Sequence, residues 1–220
     1  MGDNLVLYVG EKNISSWSMR AYLALLAKNL PFEERTIELR VDKDRAQRRR
    51  VSPTARLPVL HHGTRVIPDS LAIIEYLEET FPAPGHPALW PSDPDRRAHA
   101  RWLAATMHSG FTKLRESMSF NLCFLPQPPQ PSVEALAEAA EMLSLLQDAL
   151  DRRAASGPFL FGAFSAADVM YSPAIVRLTA FRVPTTRTPR TPAYMEALLA
   201  HPPVKRWMDA ARALPPQDHY

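Results

Sequence analysis

The chain has 220 residues, 46% of them hydrophobic and 22% charged, and a net charge of only +3. That is enough apolar material for a sizeable core in one or two domains. No run of about 18 apolar residues occurs, so no membrane-spanning helix is expected, and the first residues do not resemble a secretory leader. The expectation is a soluble, cytoplasmic protein. Cys123 is the single cysteine, which excludes an intrachain disulfide, a CxxC redox pair and a cysteine-rich zinc site.

The first half alternates strands and helices. Leu5–Val9 reads as a short buried strand, and Met19, Tyr22, Leu23, Leu26 and Leu30 then recur at helical spacing. Phe32–Leu39 alternates apolar and polar residues like a strand, and Asp42–Val51 reads as a short charged helix. Residues 57–61 and 64–67 flank His62-Gly63 as a hairpin. Ser70–Thr80 follows as a helix with Leu71, Ile74, Tyr76 and Leu77 on its buried side, and Ser70 reads as its N-cap. The order is βαβ, then αββα. Pro58 at a strand start donates no ladder hydrogen bond, so it asks for a further reason.

Residues 81–87 carry three prolines and a glycine and read as a linker. Beyond them the pattern is helical throughout. Asp93-Pro94 opens a helix predicted to run to Ser117, with Leu103, Met107, Phe111, Leu114 and Met118 as its apolar stripe. Further helices are expected over residues 132–153, from Ser165, over 192–200 and over 203–214. Ser165 to Asp168 reads as a capping box with Asp in place of Glu. No internal repeat is present.

Three features point toward chemistry. Ser15, Ser16 and Ser18 stand at a strand–helix joint, where hydroxyls either cap the helix or lie beside an anion at its positive end. Arg45, Arg48, Arg49 and Arg50, close to Arg40 and Lys43, make a basic run. It reads as a solvated helix face rather than a nucleic-acid patch, because no stacking aromatics interleave it. Arg101, His108, Thr112 and Arg115 fall on one side of the long helix. That strip suits a cleft for an acidic or polar electrophile, a dimer face or internal helix contacts.

Together the βαβ–αββα half, the proline-bearing linker and the helical remainder resemble the cytosolic glutathione S-transferase family. Ser15-Ser16-Trp17-Ser18-Met19-Arg20 is similar to the serine motifs of its zeta and tau classes. Residues 52–60 resemble the family's NPxGxVPxL stretch, and residues 69–77 its ES-x-AI-x-x-YL signature. The resemblance implies an α+β thioredoxin-like N-terminal domain over residues 1–81, a linker over 82–92, and an all-α helical-bundle domain over 93–220. It implies glutathione as co-substrate, no metal, a small electrophile as second substrate, no nucleic acid and no membrane partner, and a homodimer. Ser15 then occupies the position that stabilises the thiolate, with Ser16 as the neighbouring alternative. Pro58 matches the family's cis-proline, presenting the backbone of Val59 to the cysteinyl unit. Arg56 and Leu57 join the glutathione site, Arg56 near the glycyl carboxylate. Ser70 is placed at the γ-glutamyl carboxylate and Asp69 at the α-ammonium, Asp69 being shorter than the usual Glu or Gln. Trp17, Met107, His108, Phe111 and Arg115 are the candidate second-substrate residues. Phe120, Leu122, Phe124 and Leu125 are expected to wall the hydrophobic site, with Cys123 as packing. The activity implied is glutathione transfer, with zeta-like isomerisation of a maleyl compound or a non-enzymatic adaptor as the alternatives. Trp17 stands where the zeta motif has Cys, which counts against the isomerase.

Overall fold

The computed structural model describes residues 4–39, 42–153 and 156–216. Arg40 of the basic run lies outside them, as does the side chain of Lys43. The first half contains β1 (Leu5–Val9), α1 (Ser16–Ala27), β2 (Glu33–Thr36), α2 (Asp42–Val51), β3 (Val59–His62), β4 (Arg65–Pro68) and α3 (Ser70–Thr80). The four strands lie in the order β2-β1-β3-β4. β1 and β2 are parallel, while β3 runs antiparallel to both β1 and β4. Alternation along β1 buries Leu5, Leu7 and Val9 on one face, against Met19 and Leu23 of α1 and Ile73, Ile74 and Leu77 of α3. The opposite face carries a second, smaller cluster of Ile37, Leu57 and Val59, packed by Tyr8, Leu39 and Val51. This is the predicted thioredoxin-like arrangement.

Two details of α3 differ from the sequence reading. Its N-cap is Asp69, not Ser70: the Asp69 carboxylate accepts from Leu71 N and Ala72 N at 2.8 and 3.1 Å. Asp69 sits at φ 77°, in the left-handed region that Asp tolerates better than most residues. Its buried face is Ser70, Ile73, Ile74 and Leu77, while Leu71 and Tyr76 are only partly covered. The spacing of three and four residues is right; the phase is turned, because Ser70 is drawn inward.

The second half is helical: α4 (Pro94–Ser109), α5 (Thr112–Ser117), a 3-10 turn at Phe120–Phe124, α6 (Val133–Asp151), α7 (Ala166–Ala180), α8 (Thr191–Ala200) and α9 (Pro202–Arg212). The single long helix expected to reach Ser117 is broken at Gly110 and Phe111. Gly110 N still closes α4 on Thr106 O at 2.9 Å, but Gly110 itself is extended and Phe111 is left-handed at φ 60°. A Cβ on Gly110 would lie 2.8 Å from Thr106 O, so only glycine fits. The α5 N-terminus is then satisfied from α6, Leu114 N donating to Glu138 Oε2 at 2.8 Å. The break turns Phe111, Leu114 and Met118 into the same core as Leu103 and Met107.

α7 is the central helix, buried along nearly its whole length. The expected capping box forms at its start: Asp168 accepts from Ser165 N at 2.9 Å and Ser165 Oγ at 2.8 Å, and also from Leu160 N at 3.1 Å. Between α3 and α4 the chain is held to both halves. The fully buried Lys28 ammonium pairs with Glu78 at 2.6 Å and donates to Phe81 O at 2.8 Å. Glu78 accepts from Leu89 N, and Leu89 O accepts from Ala166 N.

Candidate functional site

A cleft of about 500 Å3 opens between the two halves. Trp17 of α1, Thr54, Arg56, Leu57 and Pro58 on the approach to β3, Pro68, Asp69 and Ser70 at the β4–α3 joint, and His108 of α4 line it. The Leu57–Pro58 bond is cis. Trp17, Arg56, Leu57, Pro58, Asp69, Ser70 and His108, all singled out from the sequence, therefore come together here. Thr54 and Pro68 were not singled out. Thr54 lies inside the 52–60 motif, and its hydroxyl accepts from Arg56 N at 3.3 Å, a turn contact that spacing alone does not announce. Val59 is fully buried behind the cleft.

Ser70 is the most telling of the lining residues. It is buried, and its Oγ meets no protein partner among the described residues. A buried hydroxyl without a partner costs about 1–3 kcal/mol. Placed on the cleft at the positive end of α3, it is suited to an anion.

Ser15 and Ser16 stand at the start of α1, directly before Trp17. Ser15 is the N-cap, its Oγ accepting from Ser18 N at 3.2 Å and lying 2.7 Å from Ser18 Oγ. Ser16 Oγ turns to the helical half and accepts from Arg177 Nη2 of α7 at 3.1 Å. Capping and exposure to an anion are compatible here, because the cap uses a hydroxyl lone pair and not its proton.

The cleft's electrostatics come from residues that spacing could not bring together. Arg20, Arg115 and Arg177 converge beside Trp17. The Arg20 and Arg115 guanidinium groups lie 4.4 and 5.0 Å from its ring centre, within cation–π range. Arg20 is buried, donates from Nε to Met170 O at 3.1 Å, and leaves Nη1 without a partner among the described residues. Arg177 is likewise buried and also donates to Met118 O at 2.8 Å. Burial first, then repulsion between the cations, lowers the pKa of both, Arg177 to about 10. Arg177 remains charged at neutral pH. His108 Nε2 lies 3.3 Å from Asp69 Oδ2. Burial lowers the His108 pKa, Asp69 opposes this, and Arg20 and Arg115 add to it. The charged form of His108 is thus disfavoured by burial even though its ring lies beside Asp69.

Other candidates prove structural. Met107, on the buried face of α4 with Leu103, and Phe111, at the break after it, are both buried in the helical core and are not among the residues lining the cleft. Arg115 folds back onto Met107 O and His108 O and supports Trp17 from behind. Arg101 pairs with Glu75 of α3 at 3.2 Å; the polar strip is thus dispersed. Phe120 is buried in the core as well, with Phe124 against it. Burial pushes the Cys123 thiol up to about 12, so it stays protonated. His61 and His62 bond to Val51 O and Tyr76 Oη at 2.7 and 2.6 Å within the hairpin region. Arg48 of the basic run holds the loop carbonyls of Glu38 and Ala55.

Residues 11–85 match the glutathione S-transferase N-terminal domain model, and residues 102–210 match the C-terminal domain model. Rat maleylacetoacetate isomerase is 31% identical over 203 residues, covering 89% of this chain and 88% of the rat protein. The chain belongs to the glutathione S-transferase family. A probable maleylacetoacetate isomerase from Caenorhabditis elegans is 39% identical over 109 residues, a stretch spanning about half of each chain (50% and 49%). Among solved structures, a Burkholderia glutathione transferase homologue with bound glutathione superposes with a TM-score of 0.71 at 31% identity, covering 96% of this chain and 99% of that one. These relatives are enzymes, and this member of the family matches both of its domain models. Among the described residues, no group of three or more His, Cys, Asp or Glu is arranged to hold a metal ion. No described helix is long and apolar enough to cross a membrane.

Proposed function

We propose that the cleft binds glutathione and that Ser15 holds its thiolate for attack on a small electrophile carried against the helical half. The observation that carries this reading is the buried Ser70 hydroxyl, unpartnered among the described residues, on a cleft that is also lined by Trp17 in the first turn of the serine-capped α1. In this reading Ser70 and the α3 N-terminus take the γ-glutamyl carboxylate, Arg56 the glycyl carboxylate, and the backbone of Val59 the cysteinyl unit. Asp69 spends one oxygen on the α3 cap and turns the other to His108, leaving its outer face for the α-ammonium. Ser16 is the weaker candidate for the sulfur, because its oxygen faces Arg177.

A thiol with pKa near ~8.5 is only about 3% ionised at neutral pH, and only the thiolate is a good nucleophile. Lowering that pKa by about two units requires ~2.7 kcal/mol of selective stabilisation. One hydrogen bond to the charged sulfur, together with the α1 N-terminus, is of that size. The test is titration of glutathione into the protein with an ultraviolet scan for thiolate. Binding with a thiolate signal at neutral pH, lost in Ser15→Ala, is the expected result. Absence of binding at millimolar glutathione would replace this reading by the non-enzymatic adaptor.

A second reading, isomerisation of a maleyl compound, is favoured by a specific observation: the Arg20–Arg115–Arg177 group, three cations whose acidic neighbours are Asp69 at Arg20 and Glu138 at Arg115. Such a field suits a substrate bearing carboxylates. Here the thiolate would add to the double bond, rotation would follow, and expulsion of the thiolate would return glutathione unchanged. Consumption of glutathione separates transfer from isomerisation. We also place the protein in the cytoplasm as a homodimer. Val66 and Trp102, 43% and 49% exposed on the two halves, are the apolar groups such a dimer would cover; sedimentation at micromolar concentration tests it.

A further inference from the structure

We propose that Ser18 is a positioning residue for Ser15: it donates its hydroxyl proton to Ser15 Oγ and so leaves the Ser15 proton for the glutathione sulfur. The proposal rests on Ser15 being the group that meets the thiolate.

Ser18 lies in the first turn of α1 and has no exposed surface. Its Oγ accepts from Gly10 N at 3.0 Å and lies 2.7 Å from Ser15 Oγ. Gly10 is the residue that permits this approach: a Cβ there would meet Leu39 Cδ1 at 2.4 Å and Ser15 Cβ at 3.0 Å. Two hydroxyls at such a distance place one proton between them, and the other proton needs a different acceptor. For Ser18 the structure shows no second acceptor among the described residues, and a wholly buried donor left unpaired is costly. Ser15 retains 5% of its surface and directly precedes Ser16 and the cleft-lining Trp17, and in this reading its proton is the one offered to the ligand. The accounting therefore puts the shared proton on Ser18.

In that arrangement Ser15 Oγ accepts twice, from Ser18 N and from Ser18 Oγ. Both lone pairs are then in use, while its own proton is free. A neutral thiol, which wants an acceptor for its S–H, finds none at Ser15. A thiolate, which wants a donor, finds one polarised by two incoming hydrogen bonds. The run from Gly10 N–H through Ser18 to Ser15 thus selects the ionised form of the ligand rather than merely touching its sulfur. The thiol proton passes to bulk water on ionisation; Ser15 keeps its own, so no side-chain base is needed.

The measurement is the pH dependence of the thiolate absorbance of bound glutathione in the wild type, Ser18→Ala, Ser15→Ala and the double variant. Ser18→Ala keeps the backbone N–H that Ser15 caps. It is expected to raise the bound-thiol midpoint by about 0.5–1 pH unit, with affinity for glutathione at acidic pH changed less than about twofold. In the Ser15→Ala background the same substitution is expected to add nothing, because its effect passes through Ser15. An unchanged midpoint in Ser18→Ala, or an equal shift in both backgrounds, overturns the proposal. If Ser15→Ala itself leaves the midpoint where it was, the assignment of Ser15 fails, and the relay with it. Should Ser18→Ala not fold, Ser18→Cys, a weaker donor of similar shape, carries the comparison through the pH profile of kcat/KM; there an unmoved profile overturns it.

Discussion

Ser70 Oγ is buried on the cleft with no protein partner among the described residues, which costs the free protein stability. Removing it should separate stability from binding. Ser70→Ala is expected to weaken glutathione binding about 10–100-fold, the worth of one hydrogen bond to a charged group. It should leave the unfolding free energy unchanged or raise it by up to ~1 kcal/mol. Calorimetric titration and urea unfolding on the same preparation check both halves; a large loss of stability would show that the hydroxyl is structural. Asp69 and His108 allow a second test at this scale. Asp69 raises the His108 pKa against the larger lowering by burial. Asn retains the helix cap and tolerates the φ of 77°. Asp69→Asn should therefore push the His108 midpoint, already below 6.5, lower still, as read by NMR titration of the ring. The neutral form is the folded-state preference. Any stability owed to His108 is present above the unfolded midpoint and lost as pH falls through it.

At the scale of elements, the break between α4 and α5 decides what faces the cleft. Continuing that helix would have kept Arg101, His108, Thr112 and Arg115 on one exposed side. The break keeps His108 at the cleft, folds Arg115 back under Trp17, and sends Phe111 inward. Gly110→Ala would place a Cβ 2.8 Å from Thr106 O, and the neighbour is backbone, which yields little. A destabilisation of ~1–3 kcal/mol, typical of overpacking, is expected in urea unfolding, with the glutathione half unaffected in its contacts. The capping box of α7 gives a pH prediction of unusual sign. Burial raises the Asp168 pKa to about 6, its three hydrogen bonds only partly opposing this. Between the unfolded midpoint of 3.8 and about 6, the folded state holds a proton that the unfolded state has released. Stability from this group is thus full below that window and falls as pH rises through it. The limiting slope is ~1.4 kcal/mol per pH unit. Comparing the pH dependence of the urea midpoint in the wild type and Asp168→Asn isolates it; identical slopes would refute the assignment.

Across the whole molecule, the two halves are joined by buried polar groups as much as by apolar packing. Arg20 reaches from α1 to Met170 in α7, and Arg177 reaches back from α7 to Ser16, while also holding Met118; Lys28 fastens the end of α1 to Glu78 and Phe81 within the first half. Each arginine is a buried charge held by carbonyl or hydroxyl oxygens. Removing one leaves those oxygens unpaired in a dry environment. Arg177→Met is expected to cost ~3 kcal/mol in unfolding free energy. Arg177→Lys should not restore it, because one ammonium does not reproduce the guanidinium fork to Met118 O, Pro173 O and Ser16 Oγ. A lysine variant as stable as the wild type would mean that charge alone, without the fork, joins the halves.

The α/β half, the helical half, the capping box at Ser165 and most of the cleft were legible in the sequence because each is written in neighbouring residues. Strand alternation, helical periodicity, Asp-Pro starts and four ordered motifs are local signals, and local propensity here agrees with the final fold. The cleft residues Arg56, Leu57, Pro58, Asp69 and Ser70 were found for the same reason, since each lies inside such a motif. What the tertiary structure alone decided is which groups meet across distance. It made Asp69 rather than Ser70 the α3 cap, drawing Ser70 into the cleft. It broke the long helix at Gly110, where a backbone carbonyl comes too close for any side chain, and it placed Met107 and Phe111 in the helical core rather than on the cleft. It also gathered Arg20, Arg115 and Arg177 from three helices around one tryptophan and one serine. Periodicity records which face of a helix is apolar; which charges, carbonyls and hydroxyls share a dry space depends on how the helices pack, and that information is spread over the whole chain.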